Sequence, residues 1–208
     1  MKPEFRLMVR RIPRGEGWAL DVGGGNAEMS PFVSDAGYHY VNLDTEPGNA
    51  APGIIGDAHK LPFPDETFDL VVSRHVLEHL RRPSEVMAEI RRILKPGGTL
   101  LLTVPFMWPF HGTDYYRYTP PILKEMLLDL EIIRFMTPIW IFGVIGLLVE
   151  EVLRRLRLNK LAPFIREITW ALDAPARNRN KPQSFAGSYF IEARKTESAP
   201  IPTHSLRR

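Results

Sequence analysis

Two groups of residues in this chain have the types and spacing to do chemistry. The first is Asp21-Val-Gly23-Gly24-Gly25-Asn-Ala27, an acidic residue leading into a glycine-rich turn. Glycine lets a backbone adopt positive φ and pass close to a ligand, and open N–H groups at a following helix start favour an anionic or strongly polar ligand part. The second is His111-Gly-Thr-Asp114-Tyr115-Tyr116-Arg117-Tyr118, which packs six such side chains into eight positions. Here His111 could act as a general base, Asp114 could orient it or bind acceptor hydroxyls, and Tyr116 and Arg117 could hold a polar or anionic acceptor. The competing reading is a rigid aromatic loop, with Arg117 bridging to a carboxylate and the tyrosines covering the core.

These groups need elements to hold them. Trp18–Val22 is a short apolar run ending in glycines and reads as a buried strand, followed by a helix from Asn26, as its cap, to about Ala36. Further strands are expected at Tyr38–Asp44, Ile54–Ile55, Phe68–Ser73, Thr99–Val104, Ile132–Met136 and Ser188–Ala193. Ser84–Leu94 is amphipathic, Lys95-Pro-Gly-Gly98 stops it, and Thr119 caps a helix with Pro120 at its first position. Strands alternating with helices predict an α/β fold with a mostly parallel sheet of seven strands and helices on both faces. Both chemical groups then follow strand ends, at the carboxyl edge of the sheet where ligands sit in this architecture.

The dinucleotide fingerprint of an NAD-type oxidoreductase needs a small residue at position 28, where this chain has Glu28. The spacing acidic-x-Gly-x-Gly-x-small, met by Asp21, Gly23, Gly25 and Ala27, resembles instead motif I of the class I S-adenosylmethionine (SAM)-dependent methyltransferases, within the methyltransferase type 11 group. The resemblance runs over roughly residues 17–135. It takes in Asp44 at the end of the second strand, Gly56-Asp57-Ala58-His-Lys-Leu-Pro-Phe-Pro64, Phe68-Asp-Leu-Val-Val-Ser73-Arg-His75-Val-Leu-Glu-His79 and Leu94-Lys-Pro-Gly-Gly-Thr-Leu100. It implies a Rossmann-like fold that binds SAM. Asp21, Gly23, Gly24 and Gly25 would form the cofactor turn, Asp44 would accept the ribose hydroxyls, and Asp57 and the Ala58 N–H would hold adenine. Ser73 to His75 would line the methionine end. Ala27 in place of a third glycine, and Gly24 where a bulkier residue is common, are mild departures. His79 is expected to pack structurally; the His-Glu-x-x-His zinc pattern is absent, so no metal is expected.

Methyl transfer from an activated sulfonium needs chiefly proximity and alignment, and a base only where the acceptor keeps its proton at neutral pH. The His…Asp-Tyr-Tyr-Arg-Tyr-Thr-Pro loop is similar to methyltransferases encoded among bacterial polysaccharide and glycolipid biosynthesis genes, which points to O-methylation of a saccharide or lipid-linked acceptor. Methylation of a quinone-like lipid, or a SAM-binding or membrane-docking module without catalysis, are the alternatives. Ser73-Arg-His-Val replaces the motif of amino-methylating nucleic-acid enzymes, and the absence of cysteine excludes arsenite methylation, thiolate chemistry and disulfides.

The chain has 208 residues and a net charge of +3. Residues 1–149 hold 15 basic and 18 acidic side chains, whereas residues 150–208 hold 12 and 6, so the excess of cations is local and is poor evidence for nucleic acid. It lies beside the longest apolar run, Phe135–Val149, fifteen residues without a charge. The expected division is a SAM-binding domain over 1–137, an apolar and basic helical insertion over 138–183 between strands six and seven, the last strand over 184–195, and a flexible tail over 196–208. For the insertion, a lid or homodimer interface, a peripheral helix on an anionic membrane surface through 138–170, and a true span stay open. Met1–Arg14 is basic but lacks the apolar core and cleavage site of a signal peptide, so a cytoplasmic location is expected, at the inner face of the membrane if the insertion docks there.

Overall fold

Residue alternation along the strands builds the molecule. A computed structural model describes residues 2–47, 53–109, 112–177, 180, 182 and 184–196. The chain forms α1 (Pro3–Arg11), β1 (Trp18–Val22), α2 (Ser30–Asp35), β2 (His39–Asp44), β3 (Ile54–Ile55) and β4 (Phe68–Arg74). It continues through α3 (Pro83–Ile93), β5 (Leu94–Pro105), α4 (Pro120–Met126), β6 (Leu130–Ile139), α5 (Ile141–Arg155), α6 (Ala162–Leu172), α7 (Ala174–Arg177) and β7 (Ser188–Lys195). The seven strands form one sheet in the order β3-β2-β1-β4-β5-β7-β6. β7 runs antiparallel to both β5 and β6, while the other described pairings are parallel.

Because successive strand side chains point to opposite faces, each strand feeds two cores. Leu20, Val22, Val71, Leu100, Leu102 and Ile191 share one face with Val86, Met87 and Ile90 of α3 and Leu123 of α4. Ala19, Leu70, Val72, Leu101 and Phe190 take the other, with Phe5 and Met8 of α1 and Val33 of α2. The expected α/β class with helices on both faces is therefore the one observed, as is the helical insertion between β6 and β7. α1 was not anticipated: its basic residues hide Phe5 and Met8, which turn one face onto the sheet.

Several local expectations are corrected. The helix after β1 starts at Ser30, not at Asn26. Gly25 and Ala27 adopt left-handed backbone, at φ of 51° and 55°, and wind the preceding residues into turns. Thr119 precedes α4 but makes no side-chain cap hydrogen bond; its carbonyl accepts from Leu123 N–H instead. The Lys95–Gly98 turn does end α3, yet it remains at the edge of β5 through an irregularity between the Phe68 and Leu70 pairings. The apolar run splits, its first five residues belonging to β6 and its last nine, from Ile141, to α5, with Trp140 between them. Of the expected tail, 197–208 lie outside the described residues.

The insertion is anchored from within. The Asp173 carboxylate, 1% exposed, accepts from the N–H groups of Trp140, Phe142 and Gly143, so a residue at the end of α6 satisfies donors that the start of α5 leaves open. A Cβ on Gly143 would fall 2.6 Å from that carboxylate, and one on Gly146 would fall 2.4 Å from Thr169 Oγ1. These two glycines thus set how closely α5 approaches α6. Arg166 adds a bidentate ion pair to Glu150 across the two helices at 2.7 and 2.5 Å. The chain returns where it left: Gly187 N–H donates to Ile139 C=O at 2.8 Å, and Ile139 is in register with Ser188.

Candidate active site

The glycine turn is held by β2. On one face of that strand, Tyr40, Asn42 and Asp44 alternate, and all three reach the turn. Tyr40 donates to Asp21 Oδ2 at 2.7 Å, Asn42 Nδ2 donates to Gly25 C=O at 3.0 Å, and Asp44 Oδ2 accepts from Gly25 N–H at 2.9 Å. Gly24 leaves the room this needs, since a Cβ there would meet Asn42 Oδ1 at 2.2 Å and Asp21 Oδ2 at 2.7 Å. Asp21 is buried, and burial raises its pKa to about 6 against the opposing hydrogen bond from Tyr40. Tyr40 and Asn42 were not expected as site residues; their period-two spacing before Asp44 was the available signal. Glu28, the residue that spoils the dinucleotide pattern, pairs with Arg74 at 2.6 Å and ties the turn to the end of β4.

In front of the turn lies a cleft of about 280 Å³ lined by Gly23, Leu43, Asp44, Thr45, Gly56, Ala58, His75, Val76, His79 and Leu80. Of the residues expected to bind a cofactor, Gly23, Asp44, Ala58 and His75 meet here, from the ends of four different strands. Asp21 stands behind Gly24, and Gly25 opens onto empty space, with nothing within 4 Å of a built Cβ. A Cβ on Gly23 would come within 2.5 Å of Val76 Cγ2, so this position must stay bare for the cleft to keep its shape. Ser73 is buried at the end of β4, where its Oγ has no hydrogen-bond partner among the described residues. His75 adopts left-handed backbone at φ 54°, a conformation that costs about 1–2 kcal/mol outside glycine and is typical of functional positions.

Asp57 is placed differently. It sits between the lining residues Gly56 and Ala58, but its carboxylate is 64% exposed and accepts from His59 N–H at 2.9 Å while meeting His59 Nδ1 at 2.6 Å. Those His59 bonds hold its pKa below the usual carboxylate range. Asp44 keeps acceptor capacity facing the cleft: Oδ1 takes the Thr45 N–H at 2.7 Å and Oδ2 the Gly25 N–H, of about four lone-pair sites on a carboxylate.

The second chemical group forms a clamp. His111 lies outside the described residues. Asp114 has 1% side-chain exposure, pairs with Arg117 Nη2 at 2.6 Å and with His79 Nδ1 at 3.0 Å. Tyr115 N–H donates to Glu78 C=O at 2.7 Å, Tyr116 Oη donates to Arg81 C=O at 2.9 Å, and Tyr118 Oη donates to Leu77 C=O at 2.7 Å. The loop is thereby fastened to residues 77–81, and His79 bears on both the loop and the cleft. Glu78 beneath it is fully buried; burial, with the Asp114 charge adding, pushes its pKa up to about 8. The expected bridge from Arg117 to a carboxylate is present, and Asp114 is that carboxylate.

A second cleft of about 450 Å³ opens between the post-β5 segment and the insertion, lined by Lys2, Trp108, Glu150, Arg154, Arg166, Trp170 and neighbouring residues. The Trp108 ring stands edge-to-face against His75 at 5.9 Å, so this ring and this imidazole separate the two clefts. Among the described residues, no group of three or more His, Asp or Glu is placed to hold a metal ion.

Residues 20–102 match the family described as methyltransferase domain. An uncharacterized methyltransferase of Mycobacterium avium is 34% identical over 107 residues, covering 46% of this chain and 42% of that protein. The chain thus spans less than half the length of the curated relatives it matches. The Haemonchus contortus phosphoethanolamine N-methyltransferase 2, solved in complex with SAM, superposes with a TM-score of 0.58 at 20% identity over 93% of this chain and 52% of that one. The cyclase SpnF does so with a TM-score of 0.61 at 19% identity over 92% and 80%. These two likenesses show the fold, and the match over residues 20–102 covers the strands that carry the first cleft.

Proposed function

We propose that the chain is a SAM-dependent methyltransferase that modifies a hydroxyl of a saccharide or lipid-linked small molecule. One observation carries the cofactor reading: residues 23, 44, 58 and 75, far apart in sequence, line one cleft at the carboxyl edge of the sheet. Its volume of about 280 Å³ falls just below the range of small-molecule sites, about 300–1,000 Å³. The cradle fits the cofactor in kind. A bare Gly23 admits a close approach, the Asp44 carboxylate suits a vicinal diol, and Leu43, Val76 and Leu80 offer apolar walls to a flat ring. SAM, when bound, supplies a sulfonium methyl that is electrophilic without further activation.

The chain's own residues then have two tasks. Gly23, Asp44 and Ala58 fix one end of the cleft, while His75 stands at the other, against Trp108. The acceptor is held in the second cleft with its reacting hydroxyl reaching past the His75–Trp108 pair to the methyl end of the first. There the Lys2 ammonium stands over the Trp108 ring at 4.8 Å, and the Glu150–Arg166 pair offers polar atoms to the acceptor hydroxyls. His111 takes the acceptor proton. Asp114 is a positioning residue that, with Arg117 and His79, fixes the loop carrying His111.

The test is incubation of the full chain with SAM and a glycolipid and metabolite extract, read by mass spectrometry. A gain of one methylene on an extract component, with S-adenosylhomocysteine released, is expected. His111→Gln should abolish release while SAM affinity, by calorimetry, stays at the wild-type value. SAM binding without any release of S-adenosylhomocysteine would replace this reading by the binding module without catalysis.

A further inference from the structure

The α5–α6 hairpin has two unlike faces. One turns Glu150, Arg154 and Arg166 toward the second cleft. On the other, Leu148, Val152 and Leu156 recur at every fourth position of one helix, and Phe164, Ile168 and Leu172 do so on its partner. All six are exposed, Leu148 at 62% and Phe164 at 71%. Scattered surface leucines need no explanation, but two such stripes on packed helices form an apolar surface that no described residue covers. At the turn between the helices, Arg155, Arg157 and Lys160 are exposed. Arg157 and Lys160 have no ion-pair partner among the described residues, and Arg155 shares the single Glu151 with Arg154.

We propose that this outer face of α5–α6 docks on an anionic lipid bilayer, the two stripes lying in the headgroup boundary with Arg155, Arg157 and Lys160 against lipid phosphates. The charge pattern selects this occupant. An anionic surface neutralises Arg155, Arg157 and Lys160, whereas a second copy of the same face bears the same cations and supplies no excess of negative charge to do so. Length selects the mode. No helix of the described residues is long and apolar enough to cross a membrane, and the 15 residues of α5 rise only about 22 Å against a hydrocarbon core of about 30 Å. The hairpin therefore lies on the surface, with the second cleft on its opposite face. This inference concerns binding alone and stands or falls independently of methyl transfer.

Flotation of the full chain with vesicles tests it. The wild type should rise with phosphatidylcholine–phosphatidylglycerol vesicles and stay at the bottom with phosphatidylcholine alone. Each juxtamembrane cation contributes about fivefold to such partitioning, so Arg157→Gln with Lys160→Gln should weaken it by about twenty-five-fold. Leu148→Ser with Phe164→Ser should abolish it, while the circular-dichroism melt stays as in the wild type because both side chains are exposed. Wild-type protein left at the bottom with anionic vesicles would overturn the proposal. So would a lipid-free dimer, seen by sedimentation, that the serine variant dissociates, because the face would then belong to a second copy.

Discussion

Asp44 concentrates two duties in one carboxylate. It accepts the Gly25 N–H and so shapes the glycine turn, and its remaining lone pairs face the first cleft. Asp44→Ala should weaken SAM binding about a hundredfold by calorimetry, the scale of losing charge-assisted hydrogen bonds; unchanged affinity would refute the ribose assignment. Glu78 gives a pH signature. In the fold it holds its proton to about pH 8, against an ordinary value of 4.5. The folded state therefore binds more protons than the unfolded chain between those values, and stability falls as pH rises through the interval. Below it both states are protonated and the residue contributes fully. The wild-type Tm should drop by at least about 4 °C across this window, and Glu78→Gln should flatten that drop. The glycine turn and the place of Asp44 at the end of β2 were legible in the sequence, because glycines after an apolar run and a carboxylate closing the next one mark strand ends by themselves. Tyr40 and Asn42 were not, since their role exists only once β2 lies beside β1. Asp114 is similar: its residue type suggested an acceptor contact, and only the fold reveals that Arg117 and His79 surround it.

Elements whose apolar pattern is complete within themselves were read correctly. Val86, Ile90 and Ile93 repeat on one face of α3, and Leu100–Leu102 with Val104 make a dense apolar strand, so both are recognisable without their neighbours. Elements finished by remote residues were missed or misplaced. α1 is a short, strongly basic helix whose Phe5 and Met8 show their purpose only against Leu101 and Phe190. α5 draws its terminal acceptor from Asp173, thirty residues beyond Gly143, a distance no local capping rule spans. Asp173→Ala leaves three N–H groups without their acceptor and should cost about 2–3 kcal/mol, read as a lower Tm in calorimetry. Asp173→Asn should recover part of that loss, because its amide oxygen can still accept.

Over the whole molecule, the sheet divides the work. One face is closed by α3 and α4, the other by α1 and α2, and the carboxyl edge is left for the two clefts. Closure by α1 is not ornamental: Met8 is fully buried, and Met8→Ala should destabilise the protein by about 2–5 kcal/mol by chemical denaturation, with SAM affinity little changed because Met8 lines neither cleft. The segregation of charge fits the same plan, with acidic residues gathered at the glycine turn and β2 and basic ones on the insertion. The insertion leaves the sheet at Ile139 and returns at Gly187 and Ser188, the two points joined by a backbone hydrogen bond. Its entrance and exit are thus adjacent ends of one antiparallel pair, a gap that an ordinary hairpin turn could bridge. The segment is a detachable cassette: selection could exchange it for another, giving the same cofactor chassis a new acceptor or a new address in the cell without disturbing a single strand of the sheet.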